Sequence, residues 1–306
     1  MNKKALRGSL LLLLGSVIWG AAFAAQRAGM NHIGPFTFSG IRMLLAGLVM
    51  IPVSRLAARR QPAPASKRLQ RRAGLACGVF LFLATTLQQI SLVSTDAGKA
   101  GFLTALYVVF VPVAGAVLFR RNPGRMIWAG ILLAVAALYL LCVPAQGFRL
   151  ERGDILLIWC AVCFTGQILC VDAFAPRVNG AALARDEFLI SGGISMLIAV
   201  CAEPIAWEGI RDAAVPILYA GLMSGAVGYT LQILGQRDVN PTLASLLMCL
   251  ESVFAVLGGA VLLGERLSGR EIAGCALMFA AVIAAQLSPV IGKKLRHEHR
   301  SGDGPA

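Results

Sequence analysis

Apolar blocks of about 20 residues recur along the whole chain, each long enough to cross a bilayer core of roughly 30 Å as a helix. They fall at residues 9–29, 34–54, 74–93, 99–119, 125–143, 154–173, 184–203, 214–236, 242–263 and 270–289. None has the strict alternation of a membrane β-strand. Composition agrees, with 58% hydrophobic residues, 14% charged residues and a mean hydropathy of +0.75. A soluble domain carries roughly a quarter charged residues, so too few charges remain here to clothe a soluble surface. The expected fold class is an all-α integral membrane protein with ten transmembrane helices.

The net charge of +13 would hint at nucleic acid in a soluble protein. Here the basic residues cluster between apolar blocks, notably Arg55, Arg59, Arg60, Lys67, Arg68, Arg71 and Arg72. Cytoplasmic loops carry such an excess, and it meets anionic lipid head groups. No nucleic-acid motif accompanies it, so membrane lipids are the expected partner and nucleic acid is not. With the N-terminus in the cytoplasm, about 20 of the 28 Lys and Arg fall on the inner side and about 7 on the outer, with Arg42 inside the membrane. A multi-pass protein of the cell (inner) membrane with both termini cytoplasmic follows. Lys3, Lys4 and Arg7, then Leu10 to Leu14, then Ala22-Phe23-Ala24 imitate a secretory signal. Ser16 to Gln26 extend that segment to span length, and it reads as the first helix. The polar tail from Lys293 to Ala306 is expected to be disordered.

The chain also repeats itself, which constrains architecture further. Shifted by 144 positions, Thr86-Leu87-Gln88 falls on Thr230-Leu231-Gln232, Val109-Phe110 on Val253-Phe254, and Gly115-Ala116-Val117-Leu118 on Gly259-Ala260-Val261-Leu262. Tyr107 then falls on Glu251. A one-residue adjustment extends the register to the first helix, setting Trp19 against Phe164. The units expected are residues 1–146 and 147–290, each of five spans, followed by a polar cytoplasmic tail at 291–306. Five is odd, so tandem copies enter the membrane from opposite sides. That is the inverted repeat of many secondary transporters, whose site lies near the midplane between the halves.

These features resemble the EamA-type transporters of the drug/metabolite transporter superfamily. Trp19-Gly20 with Phe23 is similar to the W-G-x-x-F start of that family, and Ile41-Arg42 to its second span. Ala97-Gly98-Lys99-Ala100-Gly101-Phe102 and Leu106-Tyr107-Val108-Val109-Phe110-Val111-Pro112 resemble one branch closely. Glu251-Ser252-Val253-Phe254, followed by Leu263-Gly264-Glu265-Arg266-Leu267, is similar to the second-repeat signature. Ser252 stands where that signature has proline, so a straighter helix is expected there. The resemblance implies ten helices in two five-helix repeats and export of amino acids, metabolites or toxic compounds, with import by some members.

A charge at the bilayer centre costs at least about 2.5–3.5 kcal/mol, so embedded ionisable residues are functional candidates by default. Glu251, near midplane in the ninth span, is placed to bind a cationic group, to carry a coupling proton, or only to join helices. Arg42, roughly 12 Å into the second span at 1.5 Å per residue, is placed to hold a substrate carboxylate or to pair with Glu251. Gln88 and Gln232, at equivalent positions of the two repeats, suit a cavity wall that hydrogen-bonds a polar substrate. Trp19, Phe23, Tyr107 and Tyr229 offer ring faces to cations or flat solutes; lipid contact is the alternative for each.

Gly74-x-x-x-Gly78 and Gly221-x-x-x-Gly225 permit close helix approach, within the chain or in a homodimer. The eight cysteines lie in or beside apolar blocks, and Cys160-x-x-Cys163 reads as packing rather than metal or redox chemistry. His297-Glu298-His299 belongs to a soluble tail. No cofactor is implied. An intramembrane enzyme lacks support: no histidine lies in a span, and no second deep carboxylate accompanies Glu251. A receptor or scaffold would leave the inverted repeat without a use. A secondary carrier for a small metabolite, with multidrug or organic-cation efflux as the alternative, is the expected function.

Overall fold

A computed structural model describes residues 3–60, 66–95, 97–120, 123–143, 151–263 and 267–302, with no strand among them. α1 (Lys3–Gly20) and α2 (Ala22–Gly29) form the first span, α3 (Pro35–Arg60) the second and α4 (Lys67–Ser91) the third. α5 (Ala97–Thr104) and α6 (Tyr107–Phe119) share the fourth, and α7 (Arg125–Cys142) is the fifth. α8 (Arg152–Phe174) and α9 (Gly180–Ala202) open the second half, and a short α10 (Trp207–Asp212) leads on. α11 (Ala214–Leu218) runs through a π-helical stretch, Tyr219–Tyr229, into α12 (Thr230–Gln236). α13 (Pro241–Met248), α14 (Leu250–Leu263) and α15 (Gly269–Gly302) follow.

Among the described residues, nine helical segments are long and apolar enough to cross a membrane. The segment expected at 184–203 is α9, a helix of 23 residues. It falls short on charge, because every 18-residue stretch of it holds Arg185, Asp186 and Glu187. The polar tail departs from expectation too, continuing α15 as helix to Gly302. Once an apolar span has nucleated a helix, adding good helix formers such as Lys, Leu, Arg and Glu is cheap. The loop at 61–65, the Arg121-Asn122 and Gly264-Glu265-Arg266 turns and the His297-Glu298-His299 side chains lie outside the described residues.

Elements of one half pack chiefly on the other. α3 lies along α9, α4 against α8 and α9, α1 against α12 and α14, and α7 along α15. Small residues let these backbones close up. A Cβ on Gly78 would meet Ile190 Cβ at 2.8 Å, and one on Gly221 would meet the Arg42 carbonyl oxygen at 2.9 Å. Both G-x-x-x-G pairs are thus occupied within the chain. Glu203, just past α9, caps the start of α3: its carboxylate accepts the Phe36 and Thr37 N–H groups at 2.9 and 2.8 Å. A helix start leaves such donors unsatisfied and favours a negative partner. Lys99 Nζ reaches the fully buried Asp154 at 2.7 Å, fastening α5 to α8.

The fourth span breaks between α5 and α6, and the ninth breaks between α13 and α14. No proline follows Glu251, so the sequence leads one to expect a straighter helix; the chain is interrupted at Cys249 all the same. Ser252 N–H bonds back three residues to the Cys249 carbonyl at 3.2 Å, a tightened turn. The Cys249 thiol donates to the Ala105 carbonyl at 3.7 Å, so the two breaks touch.

Candidate functional site

The broken spans and the π-helical stretch converge on a central cavity of about 50 Å³, room for a few waters. All eight residues singled out from sequence border it: Trp19, Phe23, Arg42, Gln88, Tyr107, Tyr229, Gln232 and Glu251.

The aromatic residues form two edge-on pairs. Trp19 and Tyr229 have ring centroids 5.1 Å apart, and Tyr107 and Phe164 are 6.5 Å apart. Trp19 Nε1 donates to the Ser224 carbonyl at 3.1 Å, a backbone group of the π-helical stretch. Such stretches leave the i→i−4 ladder and recur at functional sites.

Arg42 is only 2% exposed, with its guanidinium carbon 5.6 Å from the Phe38 ring centroid. Its Nε and Nη2 have no hydrogen-bond partner. Glu251 is 6% exposed, and Tyr107 borders the same cavity. No ion pair joins Arg42 to Glu251 among the described residues, so the pairing that sequence left open is not formed. Glu251 and Phe23 also border a second cavity of about 170 Å³ beside Gly20, Gly101 and Cys142.

Gln88 Nε2 donates to Thr104 Oγ1 at 3.3 Å. Gln232 Nε2 donates to Gln167 Oε1 at 3.0 Å and to Gln236 Oε1 at 3.1 Å. Behind Gln167 stands the residue that corrects the sequence reading. Glu187 is a second deep carboxylate, fully buried, and accepts from Gln167 Nε2 at 3.4 Å. Its place in the run Arg185-Asp186-Glu187 makes it read as a helix-end charge. The spacing Glu187, Ser191, Ser195, all fully buried, marks the inward face of α9 and was the available signal.

The eight cysteines are free thiols. No cluster of His, Cys, Asp and Glu suited to a metal occurs among the described residues.

A bundle of apolar helices with a charged, aromatic hollow at its centre is a multi-pass membrane protein of the transporter class. The chain belongs to the EamA-like transporter family, whose family model matches twice, over residues 6–143 and 151–285. It is a transporter, not an enzyme. It is 28% identical to an uncharacterized transporter of Archaeoglobus fulgidus, over 93% of this chain and 87% of that protein. It is 26% identical to a Salmonella typhimurium protein named "Probable amino-acid metabolite efflux pump", over 90% and 93%. The uncharacterized inner membrane transporter YedA of Escherichia coli K12 is 25% identical, over 89% and 88%. A solved crystal structure superposes with a TM-score of 0.75 at 19% identity, covering 92% of this chain and 96% of that one, and shows the fold alone.

Proposed function

We propose that this chain is a secondary carrier that exports a small, amino-acid-like metabolite by alternating access. One observation carries the reading: a buried guanidinium and a buried carboxyl, not paired with each other, border a single cavity with aromatic walls. Arg42 would take the carboxylate of a zwitterion and Glu251 its ammonium or a coupling proton. The relative named as an amino-acid metabolite efflux pump supports both the solute class and the direction.

Residues 1–146 and 147–290 would be inverted five-helix repeats with ten spans in all, α9 included. The doubled family match and the 144-residue register support this. So does the packing, since α4 of the first half on α8 of the second corresponds to α12 of the second half on α1 of the first. The cavity is far below the roughly 300–1,000 Å³ of small-molecule sites, so its walls must part for a solute to enter. Both termini would be cytoplasmic in the inner membrane; reporter fusions near residue 63 and at Gly292 should both read cytoplasmic, and a periplasmic signal at either overturns the orientation.

Glu251→Gln keeps shape and most hydrogen bonds while removing the charge. In liposomes it should abolish flux driven by a pH gradient while the purified protein stays folded. Near-parental gradient-driven flux would remove Glu251 from the mechanism. Organic-cation efflux is the second reading, favoured by the Trp19–Tyr229 rings beside Glu251.

A further inference from the structure

We propose that Glu187 is a second proton-exchanging carboxylate, tied by side-chain amides to Gln232 on the cavity wall. The proposal deepens the carrier reading and rests on it for the use made of the proton.

Glu187 lies on α9 about 10 Å from the start of that helix, at 1.5 Å per residue. Oε2 accepts from Gln167 Nε2 at 3.4 Å, while Oε1 has no partner. Gly78 of α4 packs against its backbone, where an added Cβ would meet the Glu187 Cα at 3.2 Å; the titratable groups that interact with it electrostatically are Cys77 of α4, Cys170 of α8 and Tyr229 of the π-helical stretch. From α3, Leu44 and Gly47 pack on Gly192 and Leu189; Arg42 is the charged residue on that stretch and makes no ion pair with Glu187. An ionised carboxylate in the interior with one amide donor and no cation is too costly to persist. Glu187 therefore holds a proton in this conformation, on the oxygen that lacks a partner.

Gln167 presents its NH₂ to Glu187 and its oxygen to Gln232, whose own NH₂ is shared between Gln167 and Gln236. That leaves the Gln232 carbonyl oxygen for the cavity. When the wall opens to water, the O–H bond breaks heterolytically and the proton passes to water; the carboxylate later takes a proton back. The ionised form grips the Gln167 NH₂ in a charge-assisted hydrogen bond, and so fixes the oxygen that Gln232 needs. Solute contact at Gln232 thereby depends on the proton at Glu187. Glu187 also falls 145 positions after Arg42, the offset that sets Phe164 against Trp19. The second half carries an acid where the first carries a base.

Infrared spectra of the purified full chain, recorded across pH, test this without any solute. Two protonated-carboxyl bands should be present near neutral pH and vanish at alkaline pH, one removed by Glu187→Gln and the other by Glu251→Gln. Gln167→Leu should raise the frequency of the Glu187 band alone, since a carboxyl with fewer hydrogen bonds absorbs higher; it serves if Glu187→Gln fails to fold. Protonated-carboxyl absorption unchanged by Glu187→Gln, or a Gln167→Leu spectrum with no shift, overturns the proposal. The bands are read on protein alone, so failed flux with both bands present refutes only the carrier reading.

Discussion

Gln88 and Gln232 lie 144 positions apart and border one cavity, yet they are held differently. Gln88 donates to one hydroxyl, that of Thr104, which has Cys160 Sγ at 3.9 Å as a further neighbour. Gln232 is locked between Gln167 and Gln236, and Gln236 in turn donates to the Ile168 carbonyl at 3.4 Å. The same contrast runs through the other matched positions, Tyr107 against Glu251 and Arg42 against Glu187. The first half supplies a base and a phenol, the second two acids, of which Glu187 is held by the Gln167 amide. The family model matches both halves while the side chains at these positions differ, so the two walls of the cavity should respond differently to loss of a side chain.

The largest expected effect is on selectivity. Arg42→Gln should lower flux of carboxylate-bearing solutes by about 10–100-fold, the worth of about 1.5–3 kcal/mol for a charged hydrogen bond. Organic-cation flux should persist, and thermal stability should hold or rise, because the guanidinium removed is buried with Nε and Nη2 lacking partners. Equal loss for both solute classes would erase the distinction between the walls, and parental flux of both would favour a structural arginine. Smaller effects concern stability. Gln232→Leu strands two buried amide oxygens, each costing about 1–3 kcal/mol when unsatisfied, and should lower the melting temperature clearly. Gln88→Leu strands one hydroxyl with a second neighbour and should cost about 1 kcal/mol or less. Similar shifts for the two glutamines would mean that the amide chain contributes no rigidity of its own.

The cavity wall was largely legible because polar and aromatic residues stand out against apolar runs: Arg42, Gln88, Gln232 and Glu251 are conspicuous by composition alone. The helical character of the spans was equally legible, since length and hydropathy dictate it. Glu187 is masked in the sequence by two neighbouring charges; only its register with Arg42, or its stripe with Ser191 and Ser195, separates it from them. The break at Cys249 had no local marker. What sits there is a contact with Ala105, 144 residues away, and long-range contacts leave no trace in local propensity. The helical continuation of the tail is the opposite case: polarity alone points to disorder, while Lys, Leu, Arg and Glu are good helix formers.

The contact between Cys249 and Ala105 has a mechanical meaning. A continuous helix is a stiff rod, whereas each interrupted span is a pair of short levers joined at a fulcrum. Here the two fulcrums are pinned to each other, and Glu251 and Tyr107 project from the lever arms two residues beyond the pin. A load applied at that carboxyl would act with a very short moment arm on both spans at once, so a small displacement near the pin would be magnified at the far helix ends, as in a pair of scissors worked from the rivet.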